Sequence, residues 1–282
     1  MKTVIITGAT SGIGKATAEL LAEKGFRIIS IARSEASSKS LIEKLQSIYK
    51  SEHSYYITDL SDLKSVEETT KKISEEIPKI DVLINNAGCF FENYQASKQG
   101  YEMQWAVNHL SHFYLTNLLK EKLIASKSRI INVSSGIHYM GKIDEESFTK
   151  TEAYSGFKAY GQSKLANVLF TFKLAALTKD TGITVNALHP GGINTGIGTK
   201  NTKGFINKLW SLGTIFMKTE KEGAATSVYL ASADEVNGVS SKYFDKKKQK
   251  TPSKLARDKA LADKVWEISK KQCGLTDEQS FG

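Results

Sequence analysis

The chain has 282 residues, 40% of them hydrophobic, which is near the upper limit for one hydrophobic core and ordinary for a globular protein. No apolar run approaches the roughly 18–20 residues that cross a bilayer, and Cys89 and Cys273 lie too far apart to frame a disulfide scaffold, so a reducing cytoplasm is expected. The net charge of +9 concentrates near the C-terminus, where residues 242–271 hold eleven Lys/Arg against four Asp/Glu; the KKKQK run at 246–250 reads as a solvated surface, with anionic membrane contact as the rival and no nucleic-acid partner expected.

The opening MKTVIITGATSGIG has too short an apolar part for a signal peptide and is read as mature structure. Its first strand, TVIIT (3–7), runs into TGATSGIG (7–14), where Gly8, Gly12 and Gly14, with Ser11 and Ile13 between them, offer a tight turn and free helix-terminal amides for a pyrophosphate. The spacing is G-x-x-x-G-x-G rather than the commoner G-x-G-x-x-G. A helix is expected over 16–24 and a second strand over RIISIA (27–32). That strand ends at Ala32-Arg33-Ser34, with no acid to receive a ribose hydroxyl; Arg33 offers a fork suited to a 2′-phosphate, hence NADP rather than NAD. A third strand (54–58) is closed by Asp59-Leu60, where the carboxylate suits an adenine amino group.

A helix over 66–77 leads to the fourth strand, DVLIN (81–85), and to NNAG, in which Asn86, Ala87 and Gly88 offer amides and small side chains to a cofactor. Strands are expected at 129–134, 183–189 and 241–244, with a helix over 165–177. Val/Ile-rich strands alternating with helices predict an α/β, doubly wound parallel sheet of about seven strands, a Rossmann fold with helices on both faces. No linker or repeat divides the chain, so one domain is expected over 1–282, with a basic extension from about 246. The pattern Tyr-x-x-x-Lys occurs twice, as Tyr154/Lys158 and Tyr160/Lys164. Tyr160 runs straight into an amphipathic helix, whereas Tyr154 precedes Gly156 and lies on the approach to it.

Taken in order, TGxxxGIG, Asp59-Leu60, NNAG, Asn108, NVSS (132–135), YGQSK (160–164) and HPG (189–191) resemble the short-chain dehydrogenase/reductase family from residue 3 to about 245. GIGKATAELLA, VNHLSHFYLT and SKLANVLF bring it nearest to NADP-dependent retinol dehydrogenase-like members. The resemblance implies hydride transfer between NADP(H) and a carbonyl or alcohol, with a catalytic set of Asn108, Ser135, Tyr160 and Lys164. Ser134 is the rival serine, and the Ser163-Lys164 flank favours Tyr160 over Tyr154. Lys164 is expected to favour the Tyr160 phenolate and to grip the nicotinamide ribose; Asn108 orders water near Lys164. The resemblance also implies that Pro190, Gly191 and Thr195 pass the carboxamide end of the cofactor.

The stretch 204–218 places Phe205, Leu209, Leu212 and Phe216 on one apolar face, widened by Ile206, Trp210, Ile215 and Met217. Core packing, a lid and an interfacial membrane contact all fit; the lid is preferred, and with it a lipophilic substrate, retinoid- or steroid-like. His109 and His112 read as a core or surface pair, not a metal site, and Cys89 as an inert thiol. A homodimer is a further expected partner. The competing functions are an NADPH-holding regulatory protein without turnover and a membrane-surface docking module that uses the basic tail.

Overall fold

In the computed structural model, which describes residues 1–149, 153–191 and 219–282, the buried apolar runs assemble into one eight-stranded sheet ordered β3-β2-β1-β4-β5-β6-β7-β8. The strands are β1 (Thr3–Thr7), β2 (Arg27–Ala32), β3 (Ser54–Ile57), β4 (Val82–Asn85), β5 (Arg129–Val133), β6 (Thr184–His189), β7 (Lys242–Asp245) and β8 (Lys248–Lys250). The first seven run parallel and begin and end within one residue of the expected stretches. β8 adds an antiparallel edge to β7. Its hairpin turn puts Lys246 (φ 51°) and Lys247 (φ 64°) in the left-handed region. Asn-Gly usually marks such a turn, so the sequence carries no hairpin signal there. The KKKQK side chains are exposed, as expected, and lysines on an edge strand discourage pairing with another chain.

Successive residues of each strand face opposite sides, so the sheet is buried twice. On one face Val4, Ile6, Ile28, Ile84 and Ile131 pack with residues of α1 (Gly12–Glu23) and α2 (Glu35–Ile48). On the other, Ile5, Ile29, Leu83, Ile130 and Val185 meet α3 (Leu63–Glu76) and a long interrupted helix, α4. This α4 starts as Met103–Trp105, widens into a π-helical turn at Ala106–Leu110, and continues as Ser111–Leu118. Next come α5 (Lys120–Ser126), α6 (Gly156–Leu177), α7 (Glu220–Ser232) and α8 (Lys259–Cys273). The basic segment beyond residue 246 does not stay on the surface throughout: Trp266 of α8 is buried, its ring 4.9 Å from Phe113 of α4 and 5.9 Å from Phe170 of α6.

The chain runs outward from β1 to β3, then returns to lay β4 on the other side of β1. A crevice opens at such a switch point, beyond the carboxyl ends of the strands. The glycine loop follows β1, NNAG closes β4, Ser134-Ser135 follow β5 and His189-Pro190-Gly191 close β6, so all four segments meet at one edge. No helix among the described residues is long and apolar enough to cross a membrane.

Candidate active site

Gly8 (φ 68°) and Gly12 (φ 55°) take the left-handed conformation that turns β1 sharply into α1. A methyl group on Gly14 would lie 2.1 Å from the Gly8 carbonyl oxygen and 2.5 Å from Asn86 Nδ2, so helix and loop meet only because that side chain is absent. Ser11 precedes α1 in extended backbone without a side-chain cap, leaving first-turn amides of the kind that receive phosphate. Ile13 packs against the core beneath.

Thr7 ties this loop to NNAG. Its Oγ1 lies 2.9 Å from the amides of both Asn86 and Ala87, and 2.9 Å from His112 Nε2. With two N–H groups donating to it, the hydroxyl gives its own proton to Nε2. That leaves the His112 proton on Nδ1, which donates to the Asn108 carbonyl at 3.1 Å. Burial pushes the His112 pKa down to about 3, so the ring stays neutral as this wiring requires. Asn86 Nδ2 completes the joint by donating to the Thr7 carbonyl at 2.9 Å.

Asn108 sits inside the π-helical turn of α4; such turns recur at functional sites because the wider coil frees a backbone carbonyl for other donors. Here that carbonyl receives Asn167 Nδ2 at 2.9 Å as well as His112. The Asn108 side chain clamps Cys89, accepting from its amide at 2.7 Å and donating to its carbonyl at 3.0 Å, and also donates to Ser163 Oγ at 3.0 Å. Gly88 passes so close that a methyl group there would lie 3.3 Å from Lys164 Nζ. Burial pushes the Cys89 thiol up, which suits an inert side chain.

The two Tyr/Lys pairs have different surroundings. Tyr154 precedes α6 and gives its proton to Glu102 Oε1 at 2.8 Å while accepting from Gln104 Nε2 at 2.8 Å. Burial raises both the Tyr154 phenol and the Glu102 carboxyl, and Lys158 is exposed. Tyr154 thus braces the approach to α6 against the start of α4. Tyr160 and Lys164 lie one turn apart on α6. Lys164 is only 3% exposed, donates to the Val133 carbonyl at 3.2 Å, and holds Nζ 5.6 Å from the Tyr160 ring centre. Burial lowers its pKa to about 8.

The expected depression of the Tyr160 pKa by Lys164 is absent. Burial instead pushes it up to about 12, with a hydrogen bond to Ser135 pulling less strongly the other way. At neutral pH Tyr160 therefore keeps its proton. The two serines also divide. Ser134 Oγ donates to the Lys164 carbonyl at 2.7 Å and is buried, whereas Ser135 meets the Tyr160 hydroxyl.

Further out, Arg33 is exposed at the end of β2 and Ser34 caps α2. Asp59 Oδ1 accepts from the Ser61 amide at 3.0 Å and hydroxyl at 2.7 Å, and Leu60 is buried in the core. Gly191 (φ 95°) turns the chain after β6, next to the serine loop, where His189 Nδ1 accepts from the Gly136 amide at 3.0 Å. Thr195 and the proposed lid at 204–218 lie outside the described residues.

Sequence reasoning missed Thr7, His112 and Asn167 as site-building groups. The available signal was a threonine ending a fully buried strand and polar side chains on the buried faces of helices, because such groups must find partners. His109, the other half of the histidine pair, contacts Asn167 Oδ1 at 3.3 Å and Ser269 Oγ of α8 at 2.8 Å.

Residues 2–204 match the family model for short chain dehydrogenase. The chain belongs to that family. It is 45% identical to human (Homo sapiens) retinol dehydrogenase 13 over 97% of this chain and 85% of the relative, and 40% identical to human retinol dehydrogenase 14 over 97% and 87%. Among solved structures, it is similar to an uncharacterised Mycobacterium paratuberculosis protein with a TM-score of 0.78 and 30% identity over 98% of this chain and 94% of that one. The chain is thus a short-chain oxidoreductase with retinol dehydrogenase-like relatives, a class built around a nicotinamide cofactor.

Thr7→Val tests the joint between loop and NNAG. It leaves two buried amides without an acceptor, and stability should fall by about 2–4 kcal/mol in urea unfolding; a loss below about 0.5 kcal/mol would mean that other groups hold the joint.

Proposed function

We propose that this oxidoreductase uses NADP(H) and acts on lipophilic alcohols or carbonyls of retinoid- or steroid-like character. The observation that carries the reading is the cluster of Ser135, Tyr160 and buried Lys164 at the switch-point crevice. The cradle suits a dinucleotide: Gly8 and Gly12 supply the left-handed turn, and Gly14 the close loop–helix contact, that bring the free amides at the head of α1 to the crevice, Asn86–Gly88 line the next turn, and Arg33 stands ready for a 2′-phosphate with Ala32 where an acid would favour NAD. When bound, the nicotinamide supplies hydride in reduction and takes it in oxidation.

The chain's own residues manage the proton. Tyr160, intact as a phenol at neutral pH, donates to the carbonyl oxygen in reduction, and Ser135 holds the same oxygen as its charge grows. The phenolate left behind is stabilised by the Lys164 ammonium, which is mostly charged below its pKa of about 8. In oxidation Tyr160 must first lose its proton, and the same ammonium reduces that cost. Asn108 keeps Cys89 and Ser163 in place and so fixes the Gly88 backbone beside Lys164. Any water it orders near Lys164 belongs to the same reading.

Two things support a lipophilic substrate. The retinol dehydrogenase relatives bear that chemistry in their names. Beside Tyr160, moreover, the Phe90 ring lies 5.8 Å from its ring and 5.1 Å from Phe157, which is 43% exposed, and Met140 is 79% exposed on the neighbouring loop.

Tyr160→Phe should lower turnover by about 10²–10⁴-fold with NADPH affinity retained, because only the proton donor is removed. Tyr154→Phe should give the opposite pattern, near-normal turnover and about 1–3 kcal/mol less stability, since Glu102 loses a buried partner. Wild-type turnover in Tyr160→Phe would defeat the assignment. In a separate experiment, Arg33→Ala should weaken NADPH binding by about tenfold or more and spare NADH; equal weakening of both would return Arg33 to a structural role.

A further inference from the structure

A groove of about 670 Å³ opens between α6, the β7–β8 hairpin and the start of α8, and it shares no lining residue with the candidate active site. Its volume lies within the range of small-molecule sites. Phe172 of α6, Tyr243 of β7 and Ala262 of α8 give it an apolar lining. Around them stand four exposed cations, Lys242, Lys250, Arg257 and Lys259. The two acids beside them are already engaged. Asp263 pairs with Lys173 at 2.6 Å, and Asp258 caps α8 by accepting from the Leu261 amide at 3.1 Å. Among the described residues, none of the four rim cations enters an ion pair.

Lysines on an edge strand alone would be a solvated surface. Here they ring an apolar cavity, and the Asp258 carboxylate that caps α8 offsets only one of the four, so the rim stays net positive. An apolar chain would cover the aromatic lining, while one anionic head would meet several cations at once. We propose that this groove binds an amphipathic organic anion, a long-chain carboxylate or monoalkyl phosphate in free solution, as a ligand separate from the substrate. The groove wall also reaches the catalytic loop: Tyr139 donates to the Thr251 carbonyl at 2.6 Å, and the Ser253 amide donates to His138 Nε2 at 3.2 Å. His138 Nδ1 in turn meets the Ser135 carbonyl at 2.8 Å.

The test is calorimetric titration of the full chain, saturated with NADPH, with dodecanoate and dodecyl phosphate, using uncharged dodecyl maltoside as control. Both anions should bind, the maltoside should not, and Lys250→Glu/Arg257→Glu should weaken the anions by about tenfold or more with the melting temperature unchanged. Photolabelling of the unmodified chain with a diazirine-bearing dodecanoate keeps the test independent of the variant's folding, and it should mark peptides within 241–263. Equal binding by the double variant, equal binding of the maltoside, or labelling confined to peptides around Tyr160 would overturn the proposal. So would cosedimentation with phosphatidylserine vesicles in the absence of binding to either free anion, which would make the patch a membrane contact instead.

Discussion

The constraint on which the site depends is the ammonium of Lys164, held almost out of water at the end of the sheet. A buried cation is costly unless hydrogen-bonded, and its surroundings supply what is needed. The Val133 carbonyl accepts from it at 3.2 Å, Gly88 withholds a side chain that would crowd it, and the Tyr160 ring covers it at 5.6 Å. The cost remains visible as a pKa lowered to about 8 from 10.5. Because the unfolded chain holds this proton to a higher pH than the folded one, stability gains from this residue as pH rises through that interval. Below it, the folded protein carries a charged lysine that is expensive to bury and lies beside the tyrosine proposed to exchange a proton.

A single polar network positions these groups. It runs from Thr7 through His112 to the Asn108 carbonyl, on to Asn167, and by way of His109 to Ser269 of α8. Burial keeps both histidines neutral, with pKa values lowered to about 3 and about 4. They act as shaped connectors with a donor on one side and an acceptor on the other. The π-helical turn belongs to the same design, since it presents the Asn108 carbonyl to two side-chain donors at once.

The parallel strands were legible because burial on both faces demands unbroken Val/Ile runs, which few other elements need. The helical placement of Tyr160 and Lys164 was legible from the amphipathic segment that follows them, and the geometry leaves Tyr154 bonded to Glu102. Other features carried no signal. β8 is three polar residues behind a turn of two lysines, a turn whose chemistry points away from a hairpin. The π-helical turn arises from tertiary donors that a local pattern cannot reveal. The direction of the Tyr160 shift depends on burial outweighing its partners, a balance set by the packed structure and not by the Tyr-x-x-x-Lys spacing.

The most direct test of this account is a carbon-detected NMR titration of the protein labelled at lysine Cε, with Lys164→Met used to assign the resonance. One lysine should titrate near pH 8 and vanish in the variant. If every lysine instead titrates near its ordinary value of about 10.4, the Lys164 ammonium is not buried and the physical basis assigned to the site is wrong.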